Sequence, residues 1–388
     1  MLSFDNTEIA FADQNDKGLK KTYYVFKLIS IGWLNKIGTT LLSFALNLRL
    51  PVKGIIKATV FDHFCGGENI VDCESKIQTL AQFNVKTILD YSVEGKQDDK
   101  DFDQCLNSLL NSVERSKKDN LVPYCVVKLS GLIPIDLLQK QSAKEDLSKS
   151  ESIQYQRGLD RTLSLCKASY EANIPLLIDA EESWIQDAID DITLGMMHQF
   201  NKERAIVFNT TQMYRHDRLI YIKNLHQQAV KENFYIGLKV VRGAYMEKER
   251  ERAEQKGYPS PIQPDKAATD KDYDLAIQYC VQYNDRIALC CGTHNEESSM
   301  KLVDLMKEKS IEPSNPTIYF AQLLGMSNHI SFNLSKAGYN VAKYVPYGPV
   351  KEVMPYLIRR ADENTSVAGQ TGRELSLIET EIKRRKTS

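Results

Sequence analysis

Eight short apolar runs rich in β-branched residues, separated by longer amphipathic stretches, constrain this 388-residue chain more than any other feature. The runs are Val85–Tyr91, Pro123–Lys128, Pro175–Asp179, Ala205–Thr210, Tyr235–Arg242, Ile287–Cys291, Thr317–Ala321 and Val341–Val345. A strand with one wet face alternates apolar and polar residues, whereas a strand covered on both faces reads as a continuous apolar run. Helices between such strands supply the crossovers that parallel pairing needs. Eight units of this kind predict an α/β fold, a (β/α)8 barrel, with a doubly wound open sheet as the alternative. No internal repeat appears at solenoid periods.

Composition narrows the class. With 42% hydrophobic and 26% charged residues the chain has the make-up of a soluble globular protein. Fifty basic against fifty-one acidic residues leave a net charge of -1, so no overall field favours a nucleic-acid partner. The eight cysteines show no C-x-x-C spacing, and no secretory leader precedes them. Several lie inside apolar runs, as in Tyr124-Cys125-Val126-Val127 and Ala288-Leu289-Cys290-Cys291. They read as reduced thiols and favour a cytoplasmic compartment. The six histidines form no H-E-x-x-H or Cys/His cluster, so no metal site is expected. Both the G-x-G-x-x-G fingerprint and the G-x-x-x-x-G-K-[ST] loop are absent, and any nucleotide cofactor must be held another way.

Residues 1–60 read as an N-terminal helical arm. Its apolar stretch Tyr23–Val52 is interrupted by Lys27, Lys36 and Arg49 and is too broken to span a membrane, which favours a helix packed on the main domain over one lying on a lipid surface. Residues 61–370 would form the barrel, with polar Gln139–Ser152 as a surface insertion. Residues 371–388 make a basic tail ending Lys383-Arg384-Arg385-Lys386, expected to be solvated rather than lipid-bound.

In a barrel the chemistry gathers at the C-terminal ends of the strands. There the sequence places Asp90 and Glu94, Lys128, Asp179 with Glu181, Gln212, Lys239 with Arg242, Thr293-His294-Asn295, Gln322 and Tyr344. Each has a bland reading: Lys128 could snorkel, Asp179 could cap a helix, His294 could be a structural histidine. Their shared rim argues for a site. Lys128, Arg359 and Arg360 suit a carboxylate substrate, with Asp179 balancing the charge. Gln212, Lys239, Gly243, Ala244 and Thr293-His294-Asn295 suit a large heteroatom-rich cofactor, and Gly243 allows close backbone approach. A helix predicted over Val350–Asp362 sets Tyr356, Arg359, Arg360 and Glu363 at i, i+3, i+4 and i+7. Two guanidiniums beside an aromatic ring can grip a small carboxylate in a planar fork, although a solvated basic face is the plain alternative.

Together these motifs resemble the proline dehydrogenase family, flavoenzymes with a distorted TIM-like (β/α)8 barrel. The matching segments are Leu89-Asp90-Tyr91-Ser92-Val93-Glu94, Val127-Lys128-Leu129-Ser130, Asp179-Ala180-Glu181, Gln212-Met213-Tyr214, Lys239 through Tyr245, Lys266 through Tyr273, Thr293-His294-Asn295, Gln322 through Met326, and Tyr356 through Asn364. They cover roughly residues 60 to 370 in order. Arg242-Gly243-Ala244-Tyr245 and Arg359-Arg360-Ala361-Asp362-Glu363-Asn364 are together specific, whereas Asp-Ala-Glu or Thr-His-Asn alone would be weak.

The resemblance implies that Arg359, Arg360 and Lys128 hold the carboxylate of L-proline while Tyr356 and Tyr344 pack its ring. It makes Glu94 a gate paired with Arg359. FAD would be surrounded by Ala180, Gln212, Lys239, Arg242, Gly243, Ala244, Tyr245, Thr293, His294, Asn295 and Glu363. Asp179 and Lys239 would be the polar groups nearest the reacting centre. The implied reaction is hydride transfer from proline to flavin N5, giving Δ1-pyrroline-5-carboxylate, with a membrane quinone as electron acceptor and peripheral contact with the inner membrane. Bacterial bifunctional members carry arginine where this chain has Lys239, and lysine lacks the fork, so the hydrogen-bond pattern there transfers less securely. The chain ends soon after the barrel and reads as monofunctional, and its opening residues favour a bacterial protein over a mitochondrial precursor. Three rivals stay open: hydroxyproline oxidation on the same scaffold, which the tyrosine at position 344 disfavours; a Schiff-base lyase using Lys128 or Lys239; and a proline-binding protein without flavin.

Overall fold

The structure is a computed structural model that describes residues 2–29, 60–92, 98–366 and 370–387; the side chains of residues 28, 29 and 360–371 lie outside the description. Eight parallel strands close into a barrel in sequence order: β1 Val85–Tyr91, β2 Tyr124–Val127, β3 Leu176–Ile178, β4 Val207–Gln212, β5 Ile236–Val241, β6 Ile287–Gly292, β7 Ile318–Leu323 and β8 Val341–Tyr347. Each expected run carries one strand. The continuous apolar pattern has the expected cause, since β2, β3, β4 and β8 are buried along their whole length. No helix among the described residues is long and apolar enough to cross a membrane.

By contact the chain divides into two compact units, Ile88–Ala321 and Met1–Thr87 with Gln322–Ser388. Within the first, the lower barrel is plugged by aromatic rings. Tyr124 meets Phe208 edge-on at 5.5 Å between centroids and Tyr319 at 5.1 Å. Gly237 faces that plug, and a Cβ there would lie 2.3 Å from a Phe208 ring carbon. The polar stretch 139–152 is exposed as expected but is not a bare insertion: it is the end of helix Ile135–Ser142, a turn, and the start of helix Lys149–Ala172. Ser148 and Glu151 form a reciprocal capping box that starts the second helix. Its S-x-x-E signature was present in the sequence.

In the other unit, the N- and C-terminal segments pack together. Helices Thr7–Ala10 and Asp16–Ile29 bury Ala10, Phe11, Leu19 and Phe26 against Leu377 and Ile378 of helix Gln370–Thr387. The basic tail is therefore a docked helix. Arg385 donates to the carbonyls of Phe11 (2.9 Å) and Gln14 (2.8 Å), and both Arg384 and Arg385 pair with the fully buried Glu381. Of the helical arm, residues 30–59 lie outside the described residues.

Burial alone would raise the Glu381 carboxyl, but hydrogen bonds from Arg384 and Arg385 outweigh it and hold the group at about 2. Its stabilisation is present above the ordinary carboxylate range and is lost as pH falls through about 2. Glu381→Gln should lower stability at pH 7 by about 1–3 kcal/mol, and the difference from wild type should shrink as pH falls below the ordinary carboxylate range. Urea melts at pH 7 and pH 3 measure both.

Candidate active site

Register decides which side chains enter the barrel. Val126 pairs with Leu177, Phe208 with Gly237, and Thr210 with Lys239, while Lys239 pairs with Cys290. Because side chains alternate along a strand, residues at one register level share a face. Extending the pairing Val127–Ile178 by one residue sets Lys128 beside Asp179. That level therefore gathers Lys128, Asp179, Thr210 and Lys239.

The contacts agree. The Asp179 carboxylate lies between two ammoniums, accepting from Lys239 on one oxygen and from Lys128 on the other at 3.2 Å. Lys239 reaches Asp179 past β4, which requires both to point into the barrel. Asp179 and Lys239 are buried and Lys128 nearly so, with side-chain exposures of 12%, 7% and 17%. A buried charge stripped of its partner costs about 3–5 kcal/mol, so each of the three positions holds the others in place.

Above this level the rim is tied strand to strand. Gln212 donates its amide N–H to the Glu181 carbonyl at 2.8 Å and accepts from the Ala244 N–H at 3.3 Å. Glu181 is itself buried, and its carboxylate accepts from the N–H and hydroxyl of Ser130. Burial pushes its carboxyl up to about 7, with the Ser130 bonds and the Lys128 charge opposing the rise. Arg242 spends its guanidinium on Asp270 (2.6 Å), Thr293 (2.8 Å) and Ser298 (2.9 Å) and stacks 4.2 Å over the Tyr273 ring. Asn295 caps helix Glu296–Glu308 by accepting from Ser298 N–H at 2.8 Å, and His294 beside it is half-buried.

Two observations bear on whether a large cofactor suits this rim. Gly243 has φ +144°, and a Cβ there would lie 2.5 Å from the Tyr214 ring, so the backbone must stay bare. Gly243 and Ala244 are exposed while Ala180 and Tyr245 are half-buried, leaving backbone open at the mouth. Below them, the buried hydroxyls of Tyr214 and Thr210 have no hydrogen-bond partner among the described residues. A bare turn and buried hydroxyls with unused hydrogen-bonding capacity, on a rim that also carries cations, suit a ligand rich in carbonyl and phosphate oxygens.

The other unit carries the remaining candidates. Tyr344 lies on β8 and is 7% exposed. Helix Val350–Ser366 continues through Pro355 and buries Val350, Val353, Met354, Tyr356 and Leu357 against Phe61, Phe64 and Met326. Tyr356 thus belongs to a packed cluster, and Arg359 follows one turn later, half-buried. The side chains of Arg360 and Glu363, and all of Glu94, lie outside the described residues. Sequence reasoning missed the support: Ser130, Asp270 and Ser298 were given no role. Lys266 and Asp270, four residues apart on one helix face and ion-paired, were the available signal for Asp270.

Comparison with known proteins supplies the family. The family model described as "Proline dehydrogenase" matches residues 73–373. The chain is 33% identical to the "Carbapenem antibiotics biosynthesis protein CarD" of Pectobacterium carotovorum subsp. carotovorum, covering 86% of each chain. It is 31% identical to "Proline dehydrogenase 1, mitochondrial" of Dictyostelium discoideum, over 99% of this chain and 75% of that one. It is also 30% identical to "Hydroxyproline dehydrogenase" of Xenopus laevis, over 97% and 90%. Among solved structures, proline utilization A from Bdellovibrio bacteriovorus, inactivated by N-propargylglycine, superposes with a TM-score of 0.72 at 21% identity, covering 93% of this chain and 38% of that longer one. That likeness extends the barrel to known folds, and the match along most of the chain is decisive: this protein belongs to the proline dehydrogenase family.

Proposed function

We propose that the chain is an FAD-dependent L-proline dehydrogenase catalysing the first step of proline catabolism. Family membership supports the reaction, and the carboxylate of Asp179 held between Lys128 and Lys239 is the observation that carries it. Two cations and one anion leave a net positive level at the strand ends, which suits an amino-acid carboxylate. Bound FAD would act as the two-electron acceptor, taking the hydride from proline at flavin N5 as Δ1-pyrroline-5-carboxylate forms.

The roles of the side chains follow from that reading. Lys128, Arg359 and Arg360 grip the substrate carboxylate, and Tyr344 and Tyr356 pack the ring, with Glu94 as the gate opposite Arg359. This placement holds the ring in one orientation and excludes water. Lys239, kept in register by Asp179, lends positive charge where negative charge develops. Ala180, Gln212, Arg242, Gly243, Ala244, Tyr245, Thr293, His294, Asn295 and Glu363 would hold the cofactor, and the substrate amine loses its proton to solvent. Electrons would pass to a membrane quinone, with the protein peripheral on the inner membrane. All eight cysteines are buried and none is in a disulfide, which suits a reducing compartment such as the cytoplasm.

Hydroxyproline oxidation is the second reading, because one relative bears that name. The buried Tyr344 favours proline, since a bulky ring leaves less room for a substrate hydroxyl.

The deciding experiment is the anaerobic visible spectrum of the purified protein with L-proline or trans-4-hydroxy-L-proline. A flavin band that bleaches faster with proline supports the proposal, and a colourless protein still inert after added FAD overturns it. Arg359→Met should raise the proline KM about tenfold or more, as a charge-assisted bond of roughly 1.5–3 kcal/mol is lost, while bound flavin stays near wild type. Steady-state kinetics with flavin quantitation tests this, and an unchanged KM would remove Arg359 from the clamp. Tyr344→Ser should shift the kcat/KM ratio toward hydroxyproline, measured with both substrates side by side.

A further inference from the structure

We propose that Glu181 is a positioning residue that locks the turn bearing Lys128 to the turn bearing Asp179, and so aims the Lys128 ammonium at the substrate carboxylate; this rests on the function proposed above. Two polar groups of Glu181 tie its turn to the neighbouring strand ends of β2 and β4, and a third ties it to the helix that follows. Its carboxylate accepts from Ser130 N–H at 3.0 Å and from the Ser130 hydroxyl, two residues after Lys128 on the turn Leu129–Gly131. Its carbonyl accepts from the Gln212 amide at the end of β4 at 2.8 Å. Its own N–H donates to the Gln186 side chain at 2.9 Å, and Gln186 donates in turn to Asp190 on the same helix, Ser183–Phe200, at 2.8 Å.

Nothing in the proposed chemistry uses a third carboxylate here, and Glu181 is only 4% exposed. An apolar side chain of the same size would avoid the desolvation cost of a buried acid. It could not satisfy the Ser130 N–H and hydroxyl, and the Lys128 turn would lose its fixed direction. Lys128 bonds Asp179 at 3.2 Å, a contact that depends on where both turns sit. Groups that orient a metal ligand from behind commonly matter by about 10–100-fold, and Glu181 would orient a binding lysine in the same way.

The test uses the full FAD-loaded protein and cyclopentanecarboxylate, a ring carboxylate with no amine to oxidise, so that binding is read apart from turnover. Glu181→Ala should raise the Kd of this mimic and the KM of proline together, by about tenfold, with a smaller change in kcat. Glu181→Gln should restore both to within about threefold, because its amide oxygen can accept the Ser130 N–H while its NH2 donates to a reoriented Ser130 hydroxyl. A merely structural residue would lower the melting temperature and flavin content while leaving the Kd of the folded enzyme alone. An unchanged Kd in Glu181→Ala, or a Glu181→Gln variant as weak as Glu181→Ala, would overturn the proposal. If Glu181→Ala does not fold, Ser130→Ala decides: a raised Kd supports the lock and a wild-type Kd removes it. Bleaching of the wild-type flavin by proline tests the proposed function separately.

Discussion

One carboxylate shared by two ammoniums organises the upper barrel. Asp179 sits at the end of β3, where side chains at one register level turn inward, and it meets Lys128 from β2 and Lys239 from β5. Neither lysine could stay buried and charged alone, because the loss of hydration would far exceed any packing gain. The three must be placed together or not at all. The rings of Tyr124, Phe208 and Tyr319 pack against one another elsewhere in the same interior. Along β2 and its end the chain changes from aromatic to ionic between Tyr124 and Lys128, and along β4 from aromatic to polar between Phe208 and Thr210.

That change of character explains the rim above it. Strand-end turns are mobile unless their polar groups are spent on neighbours, and here they are spent across strands. Glu181 joins the turns after β2, β3 and β4, Gln212 reaches the turn after β5, and Arg242 joins β5 to the segment after β6. A site built this way keeps its geometry without ligand, which reduces the ordering that binding must otherwise pay for. The bare backbone at Gly243 is part of the same scheme, because the Tyr214 ring occupies the place of its missing Cβ.

Much of this was legible in the chain. Val85–Tyr91 is a strand from its first residue to its last, and each of the other seven runs overlaps one, with β4, β6, β7 and β8 extending past the expected end, since β-branched residues bounded by turn formers have few alternatives. Less legible were segments whose meaning depends on a distant partner. Lys383-Arg384-Arg385-Lys386 reads as solvated, yet Arg384 and Arg385 hold Glu381, and Arg385 also reaches carbonyls more than 370 residues away in sequence. Lys343, buried on β8 and pushed down to about 7 by that burial, bonds the carbonyls of Leu323 and Met326, and no local pattern marks it.

The sequence by itself determined the number, order and burial of the strands, because apolar periodicity is a local property that hydrophobic burial reads directly. It also nominated Lys128, Asp179 and Lys239 individually, as polar groups ending apolar runs. Their meeting was decided by tertiary structure: parallel register aligns residues 51 and 60 positions apart, and barrel closure turns them to one interior. Only there does the low dielectric make a carboxylate between two lysines a fixed piece of geometry rather than three solvated charges.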